Sequence, residues 1–263
     1  LTGSKNALKG VGFLLGGVLL DWVGFQWTLW IMAGALFVVL MSGMLTMQQD
    51  LGRSKKRVKF KQLFSKSRAV NYLSFARFFL FGSRDIWFVV GLPVFLKETL
   101  NWSFAAVGSF MAAWVIGYGL IQAGAPAFLR HGGARSALRW AGILATVTGL
   151  LALAVELEFH LGIVVLAGLA LFGMVFAVNS AIHSYLILAY TDSDDVALNV
   201  GFYYMANAGG RLIGTLLSGV IYLFHGLSGC LWVSTGFVVV ATALTGLLPR
   251  QAKSEALLAA AEK

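Results

Sequence analysis

Apolar residues run along this chain in long blocks separated by short polar stretches. A helix needs about 20 apolar residues to cross the roughly 30 Å hydrocarbon layer of a bilayer. Eight blocks meet or approach that length: 7–20, 27–47, 71–95, 104–128, 140–155, 161–190, 199–223 and 229–248. The first is short and reaches full length only if Lys5 and Lys9 are taken into it. The pattern predicts an all-α membrane protein of about eight transmembrane helices.

The blocks differ in polarity. Block 71–95 holds Arg77, Arg84 and Asp85, and block 104–128 holds Tyr118 and Gln122 four residues apart. Block 161–190 holds Asn179 and His183, again four apart, with Ser180 and Ser184 beside them. Block 199–223 carries Asn199, Tyr203, Asn207 and Arg211, a four-residue repeat that forms one slowly drifting stripe on a helix. Blocks 140–155 and 229–248 carry no charge. From residue 71 on, the order is polar, polar, apolar, repeated once. Two three-helix units, each ending in a lipid-facing helix, would give this order.

Composition agrees. The chain is 59% hydrophobic and 12% charged, against about 25% charge in soluble domains, and its mean hydropathy is +0.81. The 31 glycines suit closely packed membrane helices; Gly10, Gly12, Gly16, Gly17, Gly210 and Gly214 are the predicted close-packing positions. The basic residues sort by side. Lys5, Lys9, the eight between Arg53 and Arg68, Arg130, Arg135, Arg139, Arg250, Lys253 and Lys263 fall on one side, and Lys97 alone on the other. Excess Lys and Arg marks the cytoplasmic side, so both ends of the chain are expected there. Topology accounts for the +9 net charge, so no nucleic-acid partner is expected. The basic segment 48–70 reads as a solvated connector, attracted to anionic headgroups. It divides a two-helix unit (1–47) from a six-helix unit (71–249) and a tail (250–263).

No cofactor, metal site or enzyme centre is expected. Cys230 is the single cysteine, and His131, His160, His183 and His225 lack metal-ligand spacing. No nucleophile stands beside a base. Gly10 and Gly12 follow no strand, which removes a dinucleotide loop.

Three arginines stay inside the blocks: Arg77, Arg84 and Arg211. Arg211 lies roughly 20 Å along its helix at ~1.5 Å per residue, near the bilayer midplane. An arginine there costs at least ~2.5 kcal/mol and usually faces a polar cavity. Arg84 is expected at similar depth. Guanidinium groups bind phosphate, arsenate or carboxylate through paired hydrogen bonds, so Arg84 and Arg211 are candidate ligands for a small anionic substrate. Asp85 either neutralises one of them in the empty site or carries a coupling proton. Arg77 either contacts substrate or snorkels to the cytoplasmic edge. Asn207, Tyr203, Tyr204 and Gln122 are candidate neutral donors, or interhelical bonds. His183 reads as a proton relay or as a packing residue.

The two-triplet order, the long basic loop and the short basic loop RHGGARSALR (130–139) resemble the major facilitator superfamily, whose six-helix halves repeat three-helix units. On that resemblance the chain holds helices 5 to 12 of twelve. It opens at Leu1 directly into an apolar block, so it is expected to be a fragment that does not transport alone. Three stretches resemble a subgroup more closely: LTGSKNALKGVGFLLGG (1–17), WVIGYGLIQAGAP (114–126) and ALNVGFYYMANAGGRLIGTLLSG (197–219). They are similar to ArsJ-type organoarsenical efflux permeases. The resemblance implies secondary active export of 1-arseno-3-phosphoglycerate across the bacterial inner membrane, giving arsenate resistance. It also implies glyceraldehyde-3-phosphate dehydrogenase as the metabolic partner that makes the ester. The alternative is export of another phosphorylated metabolite or drug, or a non-transporting membrane protein.

Overall fold

The computed structural model describes residues 2–46, 67–128, 133–191 and 196–249. Most of the predicted connector and all of the tail lie outside them, as do Arg130 and His131. The described residues form seven helices: α1 (Thr2–Thr46), α2 (Arg68–Phe88), α3 (Gly91–Glu98), α4 (Phe104–Phe128), α5 (Ala134–Glu156), α6 (Leu161–Ala189) and α7 (Val196–Gly246).

These make six apolar helical stretches long enough to cross a membrane, with α2 and α3 sharing one. The predicted eight are present among the described residues, because two of the six stretches each hold two helices that meet at a glycine with non-helical backbone. Gly24 in α1 has φ 75° and Gly226 in α7 has φ 59°, conformations that only glycine adopts without strain. At Gly226 the chain turns back on itself. The Cys230 thiol lies 3.7 Å from the Ser218 carbonyl oxygen, whereas twelve residues of straight helix would separate them by about 18 Å. Gly82 of α2 also lies beside both Gly210 and Phe237. The two arms of α7, 196–225 and 227–246, therefore both pack on α2.

A third break falls between α2 and α3. Pro93 has no amide hydrogen to give to Val89, and its ring would crowd that carbonyl. The amides of Val90 and Gly91 turn instead to the Ser218 hydroxyl, which accepts both at 3.2 and 3.1 Å. At the other end of α2, Ser67 caps the helix by accepting from the Val70 amide.

In the bundle α2 packs on α7, α5 on α6 and α7, α4 on α6, and α1 on α4. Glycine sets the closest approach. A Cβ on Gly210 would collide with the Phe78 carbonyl, and one on Gly214 would stand 2.5 Å from the Gly82 carbonyl oxygen. Gly17 meets the backbone at Phe104 and Gly108 in the same way. Gly12 and Gly16 face open space, so only part of the predicted glycine set packs closely. Aromatic rings fill the centre: Trp87 meets Trp114, Phe88 and Phe172 edge to face. The Trp114 indole donates to the Leu169 carbonyl at 2.8 Å. Residues 25–46 of α1 are almost wholly exposed, Thr28 apart.

Candidate functional site

Arg77, Phe81, Arg84 and Asp85 lie at i, i+4, i+7 and i+8 on α2, which places them along one face. That face meets the first arm of α7. The glycines at 82, 210 and 214 let the two backbones touch; the absent Gly214 side chain leaves room for Asp85, whose Cβ would lie 3.2 Å from a Cβ there.

Asp85 is fully buried and sits between two arginines. Its Oδ1 accepts from Arg84 Nε at 2.6 Å and lies 2.5 Å from Arg84 Nη2, while its Oδ2 accepts from Arg211 Nε at 2.8 Å. The carboxylate was expected to neutralise one arginine; it serves both, one oxygen each. Removing a carboxylate from water costs several kcal/mol, and two charge-assisted bonds offset that cost here. The group keeps one net positive charge. Arg84 is 13% exposed and Arg211 44%, so the surplus charge has an open edge on the Arg211 side. The α7 stripe explains this: each four-residue step turns ~40°, and the positions pass from buried Asn199 and Tyr203 through half-buried Asn207 to exposed Arg211.

Arg77 does not snorkel. It is 4% exposed, and its Nη1 donates to the Ser180 carbonyl of α6 at 3.1 Å. Its guanidinium stands 3.9 Å from the Phe81 ring centre and 5.0 Å from that of Tyr203. The Arg84 guanidinium stands 5.3 Å from the same Phe81 ring and 5.5 Å from Phe176. Cation–π contacts of this kind contribute about 0.5–2 kcal/mol each. Phe81 thus links the two arginines, a role that its i+4 spacing from Arg77 makes visible only in retrospect.

The remaining candidates divide. Gln122 donates to the Ser180 hydroxyl at 2.9 Å and acts as an interhelical bond. Tyr203 is buried, and Tyr204 is 57% exposed with its ring edge to face with Tyr203. His183 is buried beside Arg77, with neither ring nitrogen hydrogen-bonded. The structure therefore brings Arg84, Asp85 and Arg211 together, and separately gathers Arg77, His183 and Tyr203. Ser218, which holds the α2–α3 break, was not singled out by its sequence context. Nor was Asp21, whose carboxylate accepts from the Phe104 and Ala105 amides and caps α4. Among the described residues no group of His, Cys, Asp and Glu is arranged to hold a metal ion.

The Major Facilitator Superfamily profile matches residues 73–263. The chain belongs to that superfamily. It is thereby a multi-pass membrane protein of a transporter family, with the helical-bundle fold that its polar pattern predicted. No curated protein matches the sequence. Among solved structures, the chain is similar to a bacterial homologue of the iron transporter ferroportin in its inward-facing state. The TM-score is 0.64 at 15% identity, over 89% of this chain and 58% of that one. The chain thus spans less than two thirds of that relative's length, and the likeness concerns the fold.

Proposed function

We propose that the complete protein is a secondary active exporter of a small anionic organoarsenical, 1-arseno-3-phosphoglycerate, and so confers arsenate resistance. The observation that carries the reading is one buried carboxylate shared by two arginines, with net positive charge left over and Arg211 open. Such a group receives an anion when Asp85 gives way. An arsenate or phosphate ester that displaces the Asp85 carboxylate would take up both guanidinium groups. When the ester leaves, the carboxylate restores the internal pairs. Asp85 is then the coupling residue, and Arg84 and Arg211 the substrate ligands. The iron named for the solved relative is not carried over, because two arginines repel a metal cation.

The remaining elements of the proposal follow from the resemblance and the charge pattern. The chain corresponds to helices 5 to 12. Its units are 1–47, 48–70, 71–249 and 250–263, with both ends in the cytoplasm of a bacterial inner membrane. A glyceraldehyde-3-phosphate dehydrogenase supplies the ester.

The test is arsenate resistance in an arsenic-sensitive bacterium that expresses the complete reading frame, with and without the dehydrogenase. Arg84→Gln and Arg211→Gln are run alongside. Resistance that needs both genes and fails in either variant supports the proposal. No resistance in any combination removes the arsenical, leaving export of another phosphorylated anion to be sought by uptake into inverted vesicles.

A further inference from the structure

The first arm of α1 (2–23) meets the rest of the bundle mainly along α4. The two run antiparallel: Asn6 lies beside Gly119, Gly10 beside Ala112 and Ile116, Gly17 beside Gly108, and Asp21 beside Phe104. The contact is tighter at the Asp21 end. There the backbones touch: a Cβ on Gly17 would stand 2.5 Å from the Phe104 carbonyl oxygen, and one on Gly108 2.5 Å from that of Phe13. Just beyond, Asp21 reaches across and accepts from the Phe104 amide at 3.1 Å and the Ala105 amide at 2.7 Å. These are two of the four amides that the first turn of a helix leaves without an intrahelical partner. Ser103 takes the next two, the Ala106 amide on its hydroxyl and the Val107 amide on its carbonyl. The partial positive charge of a helix N-terminus also favours a carboxylate there. Toward the other end, Asn6 Nδ2 reaches Gln122 Oε1 at 3.5 Å, the outer limit of a hydrogen bond, and Gln122 gives its own amide to Ser180.

We propose that the Asp21 carboxylate is a latch: it holds the bundle shut at the end opposite the basic segments, and it releases α4 each time that end opens. Alternating access rocks one half of a transporter against the other, so the two ends of their interface part in turn. With α1 in unit 1–47 and α4 in unit 71–249, the α1–α4 contact lies on that interface. Asp21 and Phe104 are both exposed, so water takes over the carboxylate and the two amides when the helices separate. The bond is therefore strong enough to bias the closed arrangement and weak enough to break in every cycle. The glycines beneath it add close backbone contact without side chains that would interlock. The proposal rests on the division into units given above and is independent of the substrate.

The experiment is spin-label distance measurement on the complete protein in lipid nanodiscs. One label pair, at Trp22→Cys and Leu157→Cys, spans the latched end; the other, at Leu8→Cys and Leu188→Cys, spans the opposite end. All four side chains are exposed, and the native Cys230 is buried. Asp21→Ala is expected to raise the ratio of long to short distances at the latched end about fivefold and to lower it at the other end by the same factor. That is the shift worth the ~1 kcal/mol of a lost cap, at ~1.4 kcal/mol per tenfold. Asp21→Asn keeps one acceptor oxygen without the charge; it should fall between the two proteins, and it decides the matter if the alanine protein does not fold. A cap with a structural role alone would fray the first turn of α4 and leave the far pair unmoved. Distances that stay fixed in both variants but change when phosphate is added overturn the latch alone. So does lengthening at the latched end with no answering change at the other. Distances that neither the variants nor phosphate alter overturn the division into two moving halves as well.

Discussion

Replacing Asp85 by Asn keeps the shape of the Asp85 group and removes its one negative charge. Two guanidinium groups are then left on either side of a neutral amide that cannot pair with both as a carboxylate does. Breaking a buried ion pair by removing one partner costs about 3–5 kcal/mol. The figure applies to the Arg84 side, where the side chain is 13% exposed. Arg211 is 44% exposed, and solvent screening reduces its share to under about 1 kcal/mol. A total of about 3–6 kcal/mol is therefore expected. For a domain of this size that lowers the melting temperature by roughly 6–24 °C. Thermal unfolding in nanodiscs reads it directly. The split between partners is tested by double-mutant cycles: Asp85→Asn with Arg84→Gln should show a coupling at least twice that of Asp85→Asn with Arg211→Gln. Millimolar phosphate should restore part of the lost stability, because the freed guanidinium groups acquire an anion. A melting temperature unchanged within about 1 °C, or equal couplings for the two arginines, would refute the reasoning.

Three further outcomes follow from the packing. Gly210→Ala drives a methyl into the Phe78 carbonyl and should cost at least the ~1–3 kcal/mol of ordinary overpacking. Gly219→Ala on the same helix meets nothing within 4 Å and should be neutral or slightly stabilising; a Gly210→Ala protein that melts with wild type would show that α2 and α7 are not in backbone contact. Ser218→Ala leaves the Val90 and Gly91 amides without their acceptor, at about 1–3 kcal/mol, and should speed hydrogen exchange at those two amides before any in α2. Asp21→Ala removes the acceptor of the Phe104 and Ala105 amides while Ser103 still caps the Ala106 amide; it should cost about 1 kcal/mol, seen as earlier proteolysis around residues 99–104 rather than as loss of the central bundle.

Much of the architecture was already legible in one dimension. Apolar blocks of spanning length mark the helices because the bilayer gives an unpaired backbone no water to bond to. The alternation of polar and apolar blocks exposed the repeated triplet, and charges that hydrocarbon makes costly identified Arg84, Asp85 and Arg211 as the group to watch. Glycine at 210 and 214 announced a close approach. What the pattern could not supply was how helices are rotated and offset against one another. That decided that Asp85 answers to two arginines, that Arg77 turns inward to Ser180, and that Gln122 is spent on an interhelical bond. It also decided that the breaks at residues 24 and 226 are tight glycine turns between helices rather than longer loops. The physical reason is range. Hydrophobic period and helix length are properties of neighbours in the chain, whereas a shared carboxylate requires α2 and α7, 126 residues apart at Asp85 and Arg211, to meet in one register, and only packing in three dimensions sets that register.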